Sequence, residues 1–547
     1  MSKSQDGARS AAPLFSLALL ALAQIGTSAD NGAFSIAAKE MIGVFGCSLA
    51  EVQLASTVYS LVAGTFMLVS GMLGILAGWT RTMRAGLLLA ALGEAICAVS
   101  PNITLLIWGG RLLVGFGASL IIPSVLGMVP MLFEGARRKQ AYGVIASSAA
   151  FATIVPVPLG ILIDSMGFRV TFGAIAVYFL LLLIAAKALP REREFGHMSF
   201  DLPGAAVASL GLFMVMCGLS RVSVWGVVEP LPAAPFTVAG ISPALPIVGT
   251  GLLLLIALVP LERWTEQKHG TALLPSSFVR NPVVRSGCVA IALPFFYMGA
   301  QGLIVTSFYQ LVVGLDATGT ALLGIASGLP MLVLAMHIPR KFPHANHWAV
   351  VRAGYVCLAV ASACMALGVR DTSVNAMMLI STVVGGTGVG LVNSQANYIV
   401  ASAVPPRDSQ QSGGVQGAAR NLGLALGAAA VGSVLLIAVN DGMDARIANM
   451  QALSPRQKAE LTQRVHTYEG NETFVAAVSG AGISGPVVAD LLSAHAQVRA
   501  NAGSIASGVL VGASLLALAT TAPAPVVDDL PGTADDRRAH RGGASVR

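Results

Sequence analysis

Along the 547 residues, apolar runs of about 18 or more positions recur between short polar breaks, the length needed to cross a bilayer. The runs predict fourteen helices: 12–37, 53–77, 84–100, 103–128, 140–163, 169–188, 202–220, 243–261, 286–309, 317–338, 348–368, 374–400, 411–438 and 502–521. Most are apolar all round, as lipid-embedded helices are, with no polar stripe for water. Four carry a charge well inside the run: Asp30, Glu94, Arg111 and Arg420.

Composition agrees with this pattern. The chain is 55% hydrophobic and 11% charged, with a mean hydropathy of +0.75, which excludes a soluble domain. Its net charge of +7 does not point to nucleic acid, because the Lys and Arg residues fall between apolar spans and form no single face. Cys97, Cys217, Cys288, Cys357 and Cys364 lie inside apolar runs as small hydrophobes, and Cys47 sits in a predicted loop, so no disulfide framework or zinc spacing follows. The first apolar run is too long for a signal-peptide core and is read as a helix.

Basic residues orient the spans. With the N-terminus inside, inner connections hold Arg81 and Arg84; Arg137, Arg138 and Lys139; Lys187, Arg191 and Arg193; Arg263, Lys268, Arg280 and Arg285; Arg340 and Lys341; Arg407; and the tail with Arg537, Arg538, Arg541 and Arg547. The short outer loops keep only Lys39, Arg169, Arg221 and Arg370. An even number of spans with both termini cytoplasmic satisfies this asymmetry. The predicted outer loop 439–500 is the one long connection, with short amphipathic helices expected at Pro455–Thr467 and Pro486–Val498; the tail 522–547 is expected to be disordered.

A charge deep in a span costs ~2.5–3.5 kcal/mol on insertion scales, so a functional or paired residue is the first expectation. Asp30 lies seven residues before the end of the first predicted helix and Arg111 eight after the start of the fourth. At 1.5 Å per residue both stand roughly 10–12 Å below the outer surface, with Glu94 at a similar level. A carboxylate held between low dielectric and a guanidinium is suited to exchanging a proton within the working range. A structural ion pair is the alternative for these three, and for Arg420 an anchor on backbone carbonyls or a loop acid.

Pro156 and Pro158 with Gly160 predict a kinked fifth helix that hinges or seals the outer half. His337, His344 and His347 lack a completing Cys or carboxylate and read as a solvated basic loop, with no metal site expected. Gly385-Gly386-Thr387-Gly388-Val389-Gly390 lies in an apolar span after no strand, which favours close helix packing over phosphate binding. Asn471-Glu472-Thr473 matches a glycosylation acceptor, a pattern frequent by chance.

In this order and spacing, the motifs resemble the major facilitator superfamily, and its fourteen-helix drug:proton antiporter branch, from about Leu14 to Thr521. Asp30-Asn31-Gly32 to Ala37 resembles the branch's first-helix acidic motif. Arg111-Leu112-Leu113-Val114-Gly115-Phe116-Gly117-Ala118, with Pro123, resembles its fourth-helix arginine motif. Pro156-Val157-Pro158-Leu159-Gly160, with Asp164 and Gly167-Phe168-Arg169, is similar to the fifth-helix antiporter motif. Asp201-Leu202-Pro203-Gly204, Gln310 with Gly314, and Arg420-Asn421-Leu422-Gly423 with Gly427 match the seventh, ninth and thirteenth helices. Between Gly74 and Arg84 the chain departs from the family: Gly78 stands at a usual aspartate and Arg81 at a usual glycine, which shifts inner gating onto Arg81, Arg84 and other partners. Val114 replaces a common glutamine, Val155-Pro156 stands where Gly-Pro is commoner, and Glu94 replaces a small residue.

The resemblance implies an all-α integral membrane protein of 6+2+6 helices. Its parts are a cytoplasmic N-terminus 1–11, a six-helix bundle 12–188, a linker with two extra helices 189–285, and a second bundle 286–521, rocking around a central cavity. It implies proton-coupled efflux of lipophilic small molecules, cations among them, from the bacterial inner membrane. A monomer is expected, with protons, small-molecule substrate and the bilayer as partners and the proton gradient, not a cofactor, as the energy source. Asp30, Glu94 and Arg111 are the expected proton-coupling residues. Tyr59, Phe295, Phe296, Tyr297, Gln301, Gln310, Asn393, Gln395 and Asn397 are pathway candidates, for each of which core packing is equally open. Gly74, Gly78, Arg81, Arg84, Gly115, Gly117, Pro156, Pro158, Gly160 and Arg420 are expected in gating or hinging. Export of one endogenous metabolite or siderophore-like anion, with Arg111 and Arg420 binding it, is the alternative. No nucleophile and base meet at an interface to suggest a membrane enzyme, and no folded soluble module suggests a sensor.

Overall fold

The computed structural model describes residues 2–47, 49–148, 154–190, 200–231, 234–269, 272–315, 317–342, 345–371, 373–404, 412–464, 471–483 and 485–521. The helices in chain order are α1 (Ser2–Ile36), α2 (Ala38–Phe45), α3 (Leu49–Ala77), α4 (Trp79–Val99), α5 (Ile103–Leu132), α6 (Gly135–Ser148), α7 (Pro156–Met166), α8 (Phe168–Ala185), α9 (Leu202–Trp225) and α10 (Ala244–His269). They continue with α11 (Ser276–Arg280), α12 (Pro282–Thr306), α13 (Ala317–Lys341), α14 (His347–Gly368), α15 (Ala376–Ser402), α16 (Ser412–Asn449), α17 (Pro455–Arg464), α18 (Asn471–Gly480) and α19 (Pro486–Thr520). Among the described residues the one β feature is a bridge between Val238 and Ile241.

Twelve of these helices are long and apolar enough to cross a membrane. That count is of the described residues alone. Of the expected spans outside it, α1 carries Gln24, Thr27, Ser28, Asp30 and Asn31 within its apolar stretch, and the fifth includes 149–153, which lie outside the described residues between α6 and α7. The solvent for these surfaces is lipid. The most apolar window of α10 has a mean hydropathy of 2.4 yet only 17% of it is buried, and an isolated helix so apolar in water has nothing to stabilise it.

Two apolar cores organise the chain. One is enclosed by α1–α8, from Leu19 to Leu189; the other by α11–α19, from Phe278 to Ala517. Helices α9 and α10 pair and lay Ala208, Leu212 and Leu258 against Leu68 and Met72 of α3. Asp201 caps α9 by accepting from the Gly204 amide at 2.9 Å, satisfying a donor that the helix leaves free.

The two bundles meet closely at the end that carries Arg81, Arg84, Arg137, Arg138 and Arg340, here termed the basic end. Gly413 of α16 lies against the Pro123 carbonyl of α5, Gly414 against Met67 and Gly71 of α3, and Gly143 of α6 against Ala335 and Pro339 of α13. Ala401 of α15 is buried in the core of the first bundle. At the same end Gly78, with φ at +91°, makes the sharp turn between α3 and α4, and the fully buried Trp79 fits its ring against Gly74 and Gly127.

The expected loop 439–500 is largely helix. α16 runs on to Asn449 and α19 begins at Pro486, so Pro486–Val498 is the start of a long helix and not a separate one; α17 and α18 fill the turn between them. Met443, Ile447, Leu461, Phe474, Val478 and Leu491 give this region an apolar core continuous with the second bundle. Hydropathy marks where lipid ends, not where a helix ends. Asn471, the first residue of the glycosylation-type triplet, accepts a hydrogen bond from Arg499 at 2.5 Å.

Candidate functional site

Asp30 on α1 and Arg111 on α5 meet: Nη1 of Arg111 donates to Oδ1 of Asp30 at 2.5 Å, and neither side chain has any exposed surface. The guanidinium lies over two rings, its carbon 4.4 Å from the Phe34 centroid and 4.6 Å from that of Tyr59. Phe34 stands one turn after Asp30 on α1, so the acid and one ring of the cradle come from the same helix face. Glu94 on α4 is buried beside Asp30 and interacts with both it and Arg111, though no hydrogen bond closes to either of its oxygens.

Local backbone structure aims these groups. Asn102 caps α5 by accepting from the Leu105 amide, and the helix then widens into a π turn over Leu106–Arg111 before continuing as α-helix. Such a turn shifts every following side chain around the axis, and Arg111 is its last residue. Helices α4 and α5 approach closely enough that a Cβ on Gly117 would fall 2.8 Å from the Gly86 carbonyl oxygen and the Ala90 amide. That spacing brings Glu94 to Arg111. On the other side Gly115 packs against the backbone of Tyr59.

The chemistry follows from counting charges. Two carboxyl groups share one guanidinium, so the cluster is neutral with one proton bound and negative without it. Oδ2 of Asp30 and both oxygens of Glu94 have no hydrogen-bond partner and are the acceptor atoms on which that proton can sit, while Nε and Nη2 of Arg111 are unpartnered donors beside them. Asp30 and Arg111 were legible at one depth in the sequence; Phe34, the π turn and Cys97, whose thiol lies against Gly110 and beside Glu94, were not. The i to i+4 spacing of Asp30 and Phe34 was the signal available.

The pathway candidates separate. Tyr59 is buried against Arg111, Phe295 lies under Arg420 at 5.1 Å, and Gln301 is half-buried. Asn393 and Asn397, one turn apart on α15, are buried with unpartnered amide atoms. Tyr297 takes the core-packing alternative: it is 1% exposed inside the second bundle's core, packed on Gly385. Gln395 is buried with its Oε1 engaged by His347 at 2.6 Å and its Nε2 donating to Ser394. The Phe296 backbone faces Gly427 and its ring packs on the same core. Helix rotation decides these placements. The side chain of Gln310 lies outside the described residues, its backbone within a π turn over Ser307–Val312.

Of the gating candidates, Gly74 and Gly78 shape the Trp79 turn, Arg81 is exposed and Arg84 half-buried. Pro158 is exposed and Gly160 buried on α7, whose first residue is Pro156, with its side chain outside the described set. Arg420 is 5% exposed. In the glycine run, Gly386 and Gly390 press on the backbone of α13 and Gly388 on Gly354 of α14, so the run packs helices. His337 bonds the Val333 carbonyl, and His344 lies outside the described residues, as do Arg191, Arg193, Arg407 and the tail.

Two helical bundles with a buried ion pair between α1 and α5 define a multi-pass membrane transporter of the two-bundle class. The family model of the Major Facilitator Superfamily matches residues 20–428, and the chain belongs to that superfamily. Its relatives include the cephamycin export protein CmcT of Amycolatopsis lactamdurans, 27% identical over 76% of this chain and 82% of that one. The puromycin resistance protein pur8 of Streptomyces alboniger is 27% identical over 83% and 86%, and the multidrug efflux pump LfrA of Mycolicibacterium smegmatis 23% over 93% and 95%. Among solved structures, the human organic anion transporter MFSD10 superposes with a TM-score of 0.56 at 12% identity, covering 93% of this chain and 98% of that one; this likeness shows the fold.

Proposed function

We propose that the protein is a proton-coupled exporter that expels lipophilic small molecules, cations among them, by alternating access. The observation that carries this reading is the buried Asp30–Glu94–Arg111 cluster, one guanidinium among two carboxyls, an arrangement that suits an exchangeable proton. Relatives named for cephamycin export, puromycin resistance and multidrug efflux support export as the direction. One charge crossing the field releases about 2.3 kcal/mol per 100 mV, enough to drive one-for-one exchange.

The two bundles behave as the rocking units around a central pathway. With the basic end in the cytoplasm of a bacterial inner membrane, and both termini there, the close contacts of Gly413, Gly414 and Gly143 seal the inner side. Protonation at Asp30 or Glu94 then removes a charge that holds α1, α4 and α5 together and biases the return to the inward-facing arrangement. The reading takes a monomer as the working unit and the proton gradient as its energy source.

The test is efflux from proteoliposomes with an imposed pH gradient, using ethidium as the lipophilic cation. Gradient-dependent movement that Asp30→Asn abolishes is expected; equal movement with and without the gradient refutes proton coupling. A second reading, export of an endogenous metabolite or siderophore-like anion, is favoured by one observation, the buried Arg420 with no counter-charge in salt-bridge range among the described residues.

A further inference from the structure

Arg420 is a further buried cation, and it stands where the second bundle borders the first. It lies on α16 directly before Asn421, whose amide donates to the Met67 sulfur of α3 at 3.0 Å, so its helix face borders the first bundle. Gly414 and Gly417 on the same helix touch α3 as well. The side chain is 5% exposed, and its guanidinium carbon stands 5.1 Å from the Phe295 centroid, so one face is covered by a ring.

The electrostatics differ from those of Arg111. Arg111 has Asp30 bonded and Glu94 beside it. Arg420 has no carboxylate within salt-bridge distance among the described residues, and its Nε and Nη2 are buried without an acceptor. Those two nitrogens share one edge of the planar fork, the edge whose two parallel N–H groups match the two oxygens of a carboxylate. One turn earlier, Gln416 donates through Nε2 to Ser412 and leaves Oε1 unpartnered. A buried cation with its bidentate edge unpaired is costly to keep unless an anion arrives to neutralise it.

We propose that Arg420, backed by Phe295, is an anion-recognising subsite of the substrate pathway, and that the exporter takes lipophilic acids, molecules in which an aromatic or aliphatic body carries a carboxylate. The inference rests on the export reading for its purpose, but the subsite is a binding property that exists without turnover. A ligand carboxylate closes two charge-assisted hydrogen bonds on the Nε–Nη2 edge while its body lies among the surrounding apolar groups. An uncharged amide of the same shape presents one acceptor and no charge.

The test is equilibrium binding to the purified full chain in detergent, at neutral pH and with no gradient, comparing 2-naphthoate with the neutral 2-naphthamide. The parent is expected to prefer the acid by about tenfold or more, the equivalent of a charge-assisted pair. Arg420→Gln is expected to lose that preference while its naphthamide affinity stays within about twofold of the parent. Loss of both ligands equally in a monodisperse variant, or no acid preference in the parent, overturns the proposal. Should Arg420→Gln aggregate, Arg420→Lys replaces it: the charge remains and the fork is gone, so a reduced acid preference is expected and an unchanged one overturns the bidentate assignment. Acid binding that depends on Arg420, in a protein that moves nothing in vesicles, refutes the export reading and leaves the subsite standing.

Discussion

Asp30→Asn isolates charge from shape. The asparagine carbonyl can still accept from Nη1 of Arg111 across the 2.5 Å contact, so α1 and α5 keep their spacing, but the group no longer titrates. The guanidinium, with no exposed surface, loses its bonded counter-charge, and breaking a buried pair in this way costs about 3–5 kcal/mol when nothing replaces it. Here Glu94 stands beside Asp30 with both oxygens unbonded and can supply the missing charge. The single variant is therefore expected to fold, insert and lose less than about 3 kcal/mol of stability, while gradient-driven efflux in vesicles disappears. Glu94→Gln alone is also expected to fold, because Asp30 remains. The double variant strips both acids from Arg111, and its loss is expected to exceed the sum of the singles by about 1–3 kcal/mol. Chemical denaturation in detergent measures the cycle and proteoliposome efflux measures the coupling. Additive stability losses refute the shared guanidinium; retained proton-driven efflux in Asp30→Asn removes that residue from coupling.

Other expectations follow from the same geometry. Arg111→Lys keeps a cation but loses the planar group over Phe34 and Tyr59, so the pH profile of efflux should shift while membrane insertion stays intact; an identical profile argues against tuning by the guanidinium. Gly93→Val places a Cβ 2.6 Å from Val114 and 2.8 Å from the Gly110 carbonyl oxygen, which should force α4 from α5, cost about 1–3 kcal/mol and lower the yield of monodisperse protein. Glu40→Gln weakens the charged acceptor that meets the Phe168 amide at 2.9 Å at the start of α8, with an expected loss of about 0.3–1 kcal/mol in denaturation that added salt diminishes. Asp201→Ala removes the cap on α9 and should cost about 1 kcal/mol, with unchanged ligand binding.

Much of the architecture was legible because bilayer thickness imposes a length on every apolar run. The common depth of Asp30 and Arg111 was legible for a similar reason: helical rise is constant, so position along the axis can be counted from the ends of a span. Rotation about the axis cannot be counted in this way when a helix is apolar all round. Pathway and core packing are consequently both open for Tyr297 and Gln395 in the sequence, whereas the structure packs Tyr297 in the second bundle's core and bonds Gln395 to His347. The π turn that ends at Arg111 has no compositional mark, since one extra residue in a turn changes hydrogen bonding without changing residue type. The departures at Gly78 and Arg81 were visible, and the +91° φ at Gly78 gives that glycine a backbone role, with Trp79 as the packing partner that spacing alone did not suggest.

The helices α16 and α19 are 38 and 35 residues long, about 57 and 52 Å at standard rise, against a hydrocarbon layer of about 30 Å. Joined by α17 and α18 and sharing one apolar core with the second bundle, they form a rigid mast standing out of the lipid on that bundle alone. A mast magnifies tilt. A fluorophore on the exposed Ser479 at its tip would sweep a larger arc than any residue in the membrane, turning a small rotation between bundles into a distance change that single-molecule energy transfer can follow in real time.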